Sequence, residues 1–185
     1  MLLALAACAQ APAPTALGPL RARLPGVRWA REETLHVTLL FLGERGDAEA
    51  DEARAVVRAV AASHEPFTAS LTGLGTFPGS ARPRVVWLGL SAAAPVLALH
   101  RALRLEHVRL GAPLESRAFS PHVTLGRVPP SAEASTREAL PAALAAARFS
   151  APVAFGSVEL VRSELTPRGP RYTALLSAPL GRGER

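Results

Sequence analysis

Apolar and polar residues alternate with period two in several short stretches. Between them run segments where apolar residues recur every three to four positions, so strands and helices interleave along the chain. Leu2 to Ala7 reads as an apolar first strand, and a turn or capped helix opening from Pro12 runs to Leu24, where Pro25-Gly26 ends it. Val27 to Trp29 is a short strand. Thr34 to Leu42 is a longer one closed by Gly43. Asp47 to Ser63 is a helix with Asp47 at its N-cap and Ala53, Val56, Val57 and Val60 on one stripe. Phe67 to Leu71 reads as a strand, the glycine- and proline-rich run to Pro83 as a loop, and Arg84 to Leu90 as the next strand. Pro95 to Leu110 is a helix burying Leu99, Leu103 and Leu110. Pro121 to Val128 is a strand broken by Pro129-Pro130, and Ser131 caps a helix from Ala132 to Ala147. Val153 to Leu165 and Arg171 to Ser177 complete the strands. This order predicts an α+β fold of two related halves packed as one unit over residues 1–185.

Within two of these strands one tetrapeptide occurs unchanged, as His36-Val37-Thr38-Leu39 and His122-Val123-Thr124-Leu125. Residues i and i+2 of a strand share a face, so each His points the same way as its Thr. Leu35, Val37, Leu39 and Phe41 are expected on the opposite face of the first strand, and Val123 and Leu125 on that of the second. If a pseudo-twofold axis brings the two faces together, one neutral imidazole takes a proton and one imidazolium gives a proton at the same pH. The threonine hydroxyls donate to non-bridging oxygens between them. That constellation suits attack at phosphorus. Arg127, three residues after Thr124, is the arginine best placed to join it; Arg84, at the start of another strand, is a second candidate.

Composition narrows the chemistry. The 185 residues are 49% hydrophobic, ample for a core, and the formal charge of +6 favours a polyanionic partner. All 21 basic residues are arginine, whose planar fork suits phosphate. With no lysine in the chain, lysyl-nucleotidyl transfer is excluded. Cys8 is the only cysteine, so no intrachain disulfide and no cysteine-based zinc site exists, and a cytoplasmic location is expected. Leu5-Ala6-Ala7-Cys8 is similar to a lipoprotein cleavage box, but no basic residue precedes it and its apolar run is short. Neither motif has a nearby Asp or Glu placed to join the two histidines in a metal site, and threonine hydroxyls are poor zinc ligands. His64, His100 and His107 are expected at the surface. Ser120 lies near His122 but in no nucleophile elbow. No membrane span and no coiled coil is predicted, which makes a monomer the default.

At these residues the chain resembles the 2H phosphoesterase superfamily, and within it the bacterial and archaeal RNA 2′,3′-cyclic phosphodiesterases, formerly called 2′-5′ RNA ligases. The resemblance runs through Leu35 to Glu44, Gly73-Leu74-Gly75-Thr76-Phe77-Pro78, Arg84 to Gly89, Phe119 to Arg127, and Ser163-Glu164-Leu165 with Tyr172. It implies a bilobal α+β fold, two pseudo-twofold-related lobes that are each a mainly antiparallel sheet with helices outside, flanking a central cleft. It implies metal-independent hydrolysis of RNA 2′,3′-cyclic phosphate ends to 2′-phosphomonoesters, without a cofactor. It also implies His36 as general acid, His122 as base, and Thr38, Thr124 and Arg127 as phosphate ligands. Relatives tend to carry an aromatic on the first strand at the nucleoside end of the cleft. Leu2 to Ala7 has none, which leaves Phe119 or Tyr172 for stacking, with packing as their other role. A non-catalytic RNA-binding module, or an enzyme for small nucleotide cyclic phosphates or 2′-5′ linkages, are the alternatives the sequence leaves open.

Overall fold

The computed structural model describes residues 2–10, 17–91, 93–109, 118–166 and 169–181. The strands are β1 (Leu2–Gln10), β2 (Arg28–Trp29), β3 (His36–Glu44), β4 (Phe67–Phe77), β5 (Val85–Ser91), β6 (His122–Arg127), β7 (Ser150–Thr166) and β8 (Gly169–Pro179). The helices are α1 (Gly18–Arg23), α2 (Asp47–Ala62), α3 (Ala94–Arg109) and α4 (Ala134–Ala146). Among the described residues no helix is long and apolar enough to cross a membrane.

The strands form one antiparallel sheet in the order β1-β3-β6-β5-β4-β7-β8, with β2 on β6 and a further pairing of β1 with β7. Its two arms are not the two halves of the chain. The β4–β5 hairpin from the first half pairs with the second motif strand, β6. The β7–β8 hairpin from the second half reaches the first motif strand, β3, through β1. The 17-residue β7 is shared, its start on β4 and the rest on β1 and β8. α2 packs on β7 and β8, α3 on α2 and β3, and α4 on β4 and α1. The core beneath is aliphatic (Val37, Leu39, Leu99, Leu103, Val123, Leu125 and Leu160 are all buried), with Phe155 stacked on Phe67 at 4.9 Å.

Several boundaries differ from the sequence expectation for identifiable reasons. Asp47 is the first helical residue rather than the cap. The cap is Gly46, whose N–H donates to the Glu49 carboxylate at 2.7 Å. α4 starts after Glu133, so Ser131 caps nothing, and Ser135 Oγ instead donates to Glu133. β4 runs on to Phe77 through the glycines read as a loop. Gly73, at φ +74°, absorbs an extra residue between Thr72 and Leu74, which lets the pairing with β5 resume. Leu110 and Gly111 lie outside the described residues.

Candidate active site

Lateral contact between the two motif strands is centred on one antiparallel pair, Val37 with Val123. Antiparallel geometry about that pair sets His36 across from Thr124, and Thr38 across from His122. Both valines are buried, while both histidines and both threonines are only partly covered, so the four polar side chains share the open face. The two imidazoles are near enough to feel each other's charge.

The strands match beyond the tetrapeptide. From the histidine onward, both show the same sequence of partly buried, buried and exposed positions over seven residues, His36–Leu42 and His122–Val128. Each carries a bulge at the leucine after the threonine. Leu39 is extra relative to β1, and Leu125 is extra relative to β5. A bulge reverses the phase of all that follows. Arg127, which strict alternation would set against His122 and Thr124, rejoins their face. Phe41 does the same on β3: it is 59% exposed instead of lying with Val37 and Leu39, and Leu40 and Leu42 are buried in its place.

Each bulged carbonyl is capped differently. The Ala30 N–H donates to Leu125 O at 2.8 Å, at the end of β2. Leu39 O accepts from Nδ1 of His100 on α3 at 2.8 Å. His100 is therefore half-buried and bonded to the first motif strand, not free at the surface. Phe119 stacks on the His100 ring at 4.0 Å and packs against the core. Arg84 is exposed, but strand parity sets it with buried Val86 and Leu88, whereas Val85 is the residue paired with Arg127, so Arg84 stands out of phase with the row that holds Arg127.

Both motif imidazoles are held alike. His36 Nδ1 donates to Thr34 O and His122 Nδ1 to Ser120 O, each at 2.7 Å. With Nδ1–H so engaged, Nε2 is the nitrogen left for proton transfer, and Ser120 serves through its backbone. An aromatic edge flanks each ring, Tyr172 at 5.1 Å from His36 and Phe77 at 5.0 Å from His122. Phe77 in turn contacts Trp87 at 5.3 Å, whose indole lies over Gly75, where a Cβ would come within 2.2 Å of the ring. Burial holds the His36 pKa below its ordinary value. The bond to Thr34 O and the Glu159 carboxylate act upward, and His122 acts downward. Glu159 reaches this site because Ala6 of β1 pairs with Thr38 on one side and Glu159 on the other. Cross-strand proximity of this kind leaves no local sequence signal, whereas Phe77 and Tyr172 belong to the stretches that carry the family resemblance. Among the described residues no group of three or more His, Cys, Asp or Glu side chains is placed to hold a metal ion.

The structure thus presents two His-x-Thr strands about a local twofold in one antiparallel sheet. The sequence profile of the 2′-5′ RNA ligase superfamily matches residues 9–167, and the chain belongs to that family. Over 147 residues it is 37% identical to the RNA 2′,3′-cyclic phosphodiesterase of Methanothermobacter thermautotrophicus, covering 80% of this chain and 79% of that protein. The crystal structure of TT0787 of Thermus thermophilus superposes with a TM-score of 0.78 at 30% identity, covering 100% of both chains. That of E. coli LigT complexed with 3′-AMP gives 0.73 at 25% identity over 97% of both.

Proposed function

We propose that the protein hydrolyses RNA 2′,3′-cyclic phosphate ends to 2′-phosphomonoesters by paired histidine acid–base catalysis. The observation that carries this is the reciprocal register about Val37 and Val123, which opposes each imidazole to the other motif's threonine. Several relatives named RNA 2′,3′-cyclic phosphodiesterase at 34–38% identity support the substrate class. In the proposed step a water oxygen attacks phosphorus while His122 Nε2 takes its proton. The bond from phosphorus to O3′ breaks, and His36 Nε2 protonates the departing oxygen, leaving a 2′-phosphomonoester and a free 3′-hydroxyl. The hydroxyls of Thr38 and Thr124 and the guanidinium of Arg127 hold the non-bridging oxygens as charge builds. Burial opposes a charged His36. Glu159 and the incoming phosphate anion act in the opposite direction.

Purified protein with an RNA oligonucleotide ending in a 2′,3′-cyclic phosphate is expected to release only the 2′-phosphomonoester, at the same rate with and without EDTA. A 3′-phosphate product, or salt-sensitive binding without turnover, would refute the proposal, the latter in favour of a binding module.

Activity should follow a bell in pH, its alkaline limb set by the acid and its acidic limb by the base. Glu159 raises the His36 pKa, so Glu159→Gln lowers it. With His36 as acid, the alkaline limb is expected to move to lower pH while the acidic limb stays. Movement of the acidic limb alone would exchange the two roles.

A further inference from the structure

The two-residue strand β2 lies against β6 just where the second motif ends, with Arg28 opposite Arg127 and Trp29 opposite Gly126. Trp29 turns inward: its Nε1–H donates to Leu24 O at 3.3 Å and its ring packs on the core. Strand alternation therefore turns Arg28 outward, onto the face that the Leu125 bulge restores to Arg127. Both arginines are exposed, and among the described residues neither pairs with a carboxylate. The acid that follows on the chain, Glu32, pairs with Arg21 at 3.4 Å.

Like charges directly opposite one another in a sheet are destabilising. This pair is nonetheless built with care. A Cβ at residue 126 would meet Val27 Cγ1 at 2.8 Å, Arg28 O at 3.0 Å and Trp29 Cα at 3.3 Å, so β2 can lie this close only over glycine. The Ala30 N–H then pins the strand to Leu125 O at 2.8 Å. Two guanidiniums on adjacent strands, at about 5 Å between Cα atoms, are relieved by a shared or successive anion. Arg127 lies next to the His–Thr square. Arg28 lies one strand farther along the row that runs from Phe77 through Val85 and Arg127.

We infer that Arg28 is a second phosphate site, contiguous with Arg127, which takes the phosphate on the 5′ side of the nucleoside bearing the cyclic phosphate. The inference rests on the phosphodiesterase proposal. The chemistry identifies the ligand: in an RNA 3′ end, the phosphate nearest the cyclic one is the 5′ linkage of the same nucleoside. The site thus favours oligonucleotide ends, and nucleotides carrying a 5′-phosphate, over a bare nucleoside cyclic phosphate.

The test compares wild type, Arg28→Gln and Arg28→Lys on three substrates: a nucleoside 2′,3′-cyclic phosphate, its 5′-phosphorylated form, and a short RNA ending in a cyclic phosphate. In Arg28→Gln, kcat/KM is expected to fall roughly tenfold on the second and third substrates, through KM, and to hold on the first. The salt dependence on RNA should become shallower by about 0.7 to 1 in log–log slope. Arg28→Lys restores part of the loss by charge, without the planar fork. Equal loss on all three substrates, or no loss on any, overturns the inference while leaving the hydrolysis itself intact. If wild type turns over none of them, the phosphodiesterase proposal fails and the Arg28 site with it.

Discussion

His36→Ala and His122→Ala are each expected to lower kcat on a 2′,3′-cyclic phosphate end by about two to four orders of magnitude, the usual contribution of a positioned acid or base. Each imidazole is only partly buried and makes one backbone bond, so the variants should fold, and circular dichroism and thermal melts check this. The two groups act on opposite ends of one displacement. Removing both should therefore cost little more than removing one. Single-turnover rates with the three variants decide the matter. Wild-type turnover in either single variant would mean that the duplicated motif serves the fold and not the chemistry.

The second large effect is expected at a residue with no side chain. Gly126→Val places carbon against Val27, the Arg28 carbonyl and the Trp29 backbone, two of them main-chain atoms that cannot rotate away. β2 must leave its edge, which strands Leu125 O and shifts Arg127. A stability loss of about 1–3 kcal/mol is expected from the overpacking, read as a lower melting temperature, together with reduced kcat/KM. Gly156→Ala is the control: a Cβ there meets nothing within 4 Å, and the change should be within about 0.5 kcal/mol of neutral. Equal stability of the two variants would show that β2 docks without needing the glycine.

The site is legible in sequence to the extent that it depends on neighbours along the chain. The repeated tetrapeptide, the sharing of a face by residues two apart, and the apolar backing at Val37 and Val123 are local properties of a strand, and the structure keeps all of them. Helix α2 is legible for the same reason: of its expected stripe, Ala53, Val57 and Val60 are buried and Val56 is partly buried against the core. Local reasoning fails where a partner strand alters the phase. Alternation puts Phe41 on the inner face because nothing in Leu39-Leu40-Phe41 marks a bulge; the bulge exists only relative to β1. Closeness to Thr124 along the chain brings Arg127 onto the face of His122 and Thr124 only if the strand departs from regular alternation. The phase reversal at Leu125 is the physical cause that returns it to that face.

His100 and Glu159 lie beyond the reach of local patterns for a related reason. Both become neighbours of the first motif through contacts between residues far apart in sequence, one through a helix laid on β3 and the other across β1. Period and composition by themselves determined the kinds of element, the duplicated His-x-Thr motif on one face of each strand and the positive net charge, because none of these depends on contacts between distant residues. Only the tertiary structure decided which hairpin joins which motif, where the strands bulge, and which arginine stands beside Arg127. Those follow from backbone hydrogen bonds between distant strands, and from the room a missing Cβ leaves at Gly126.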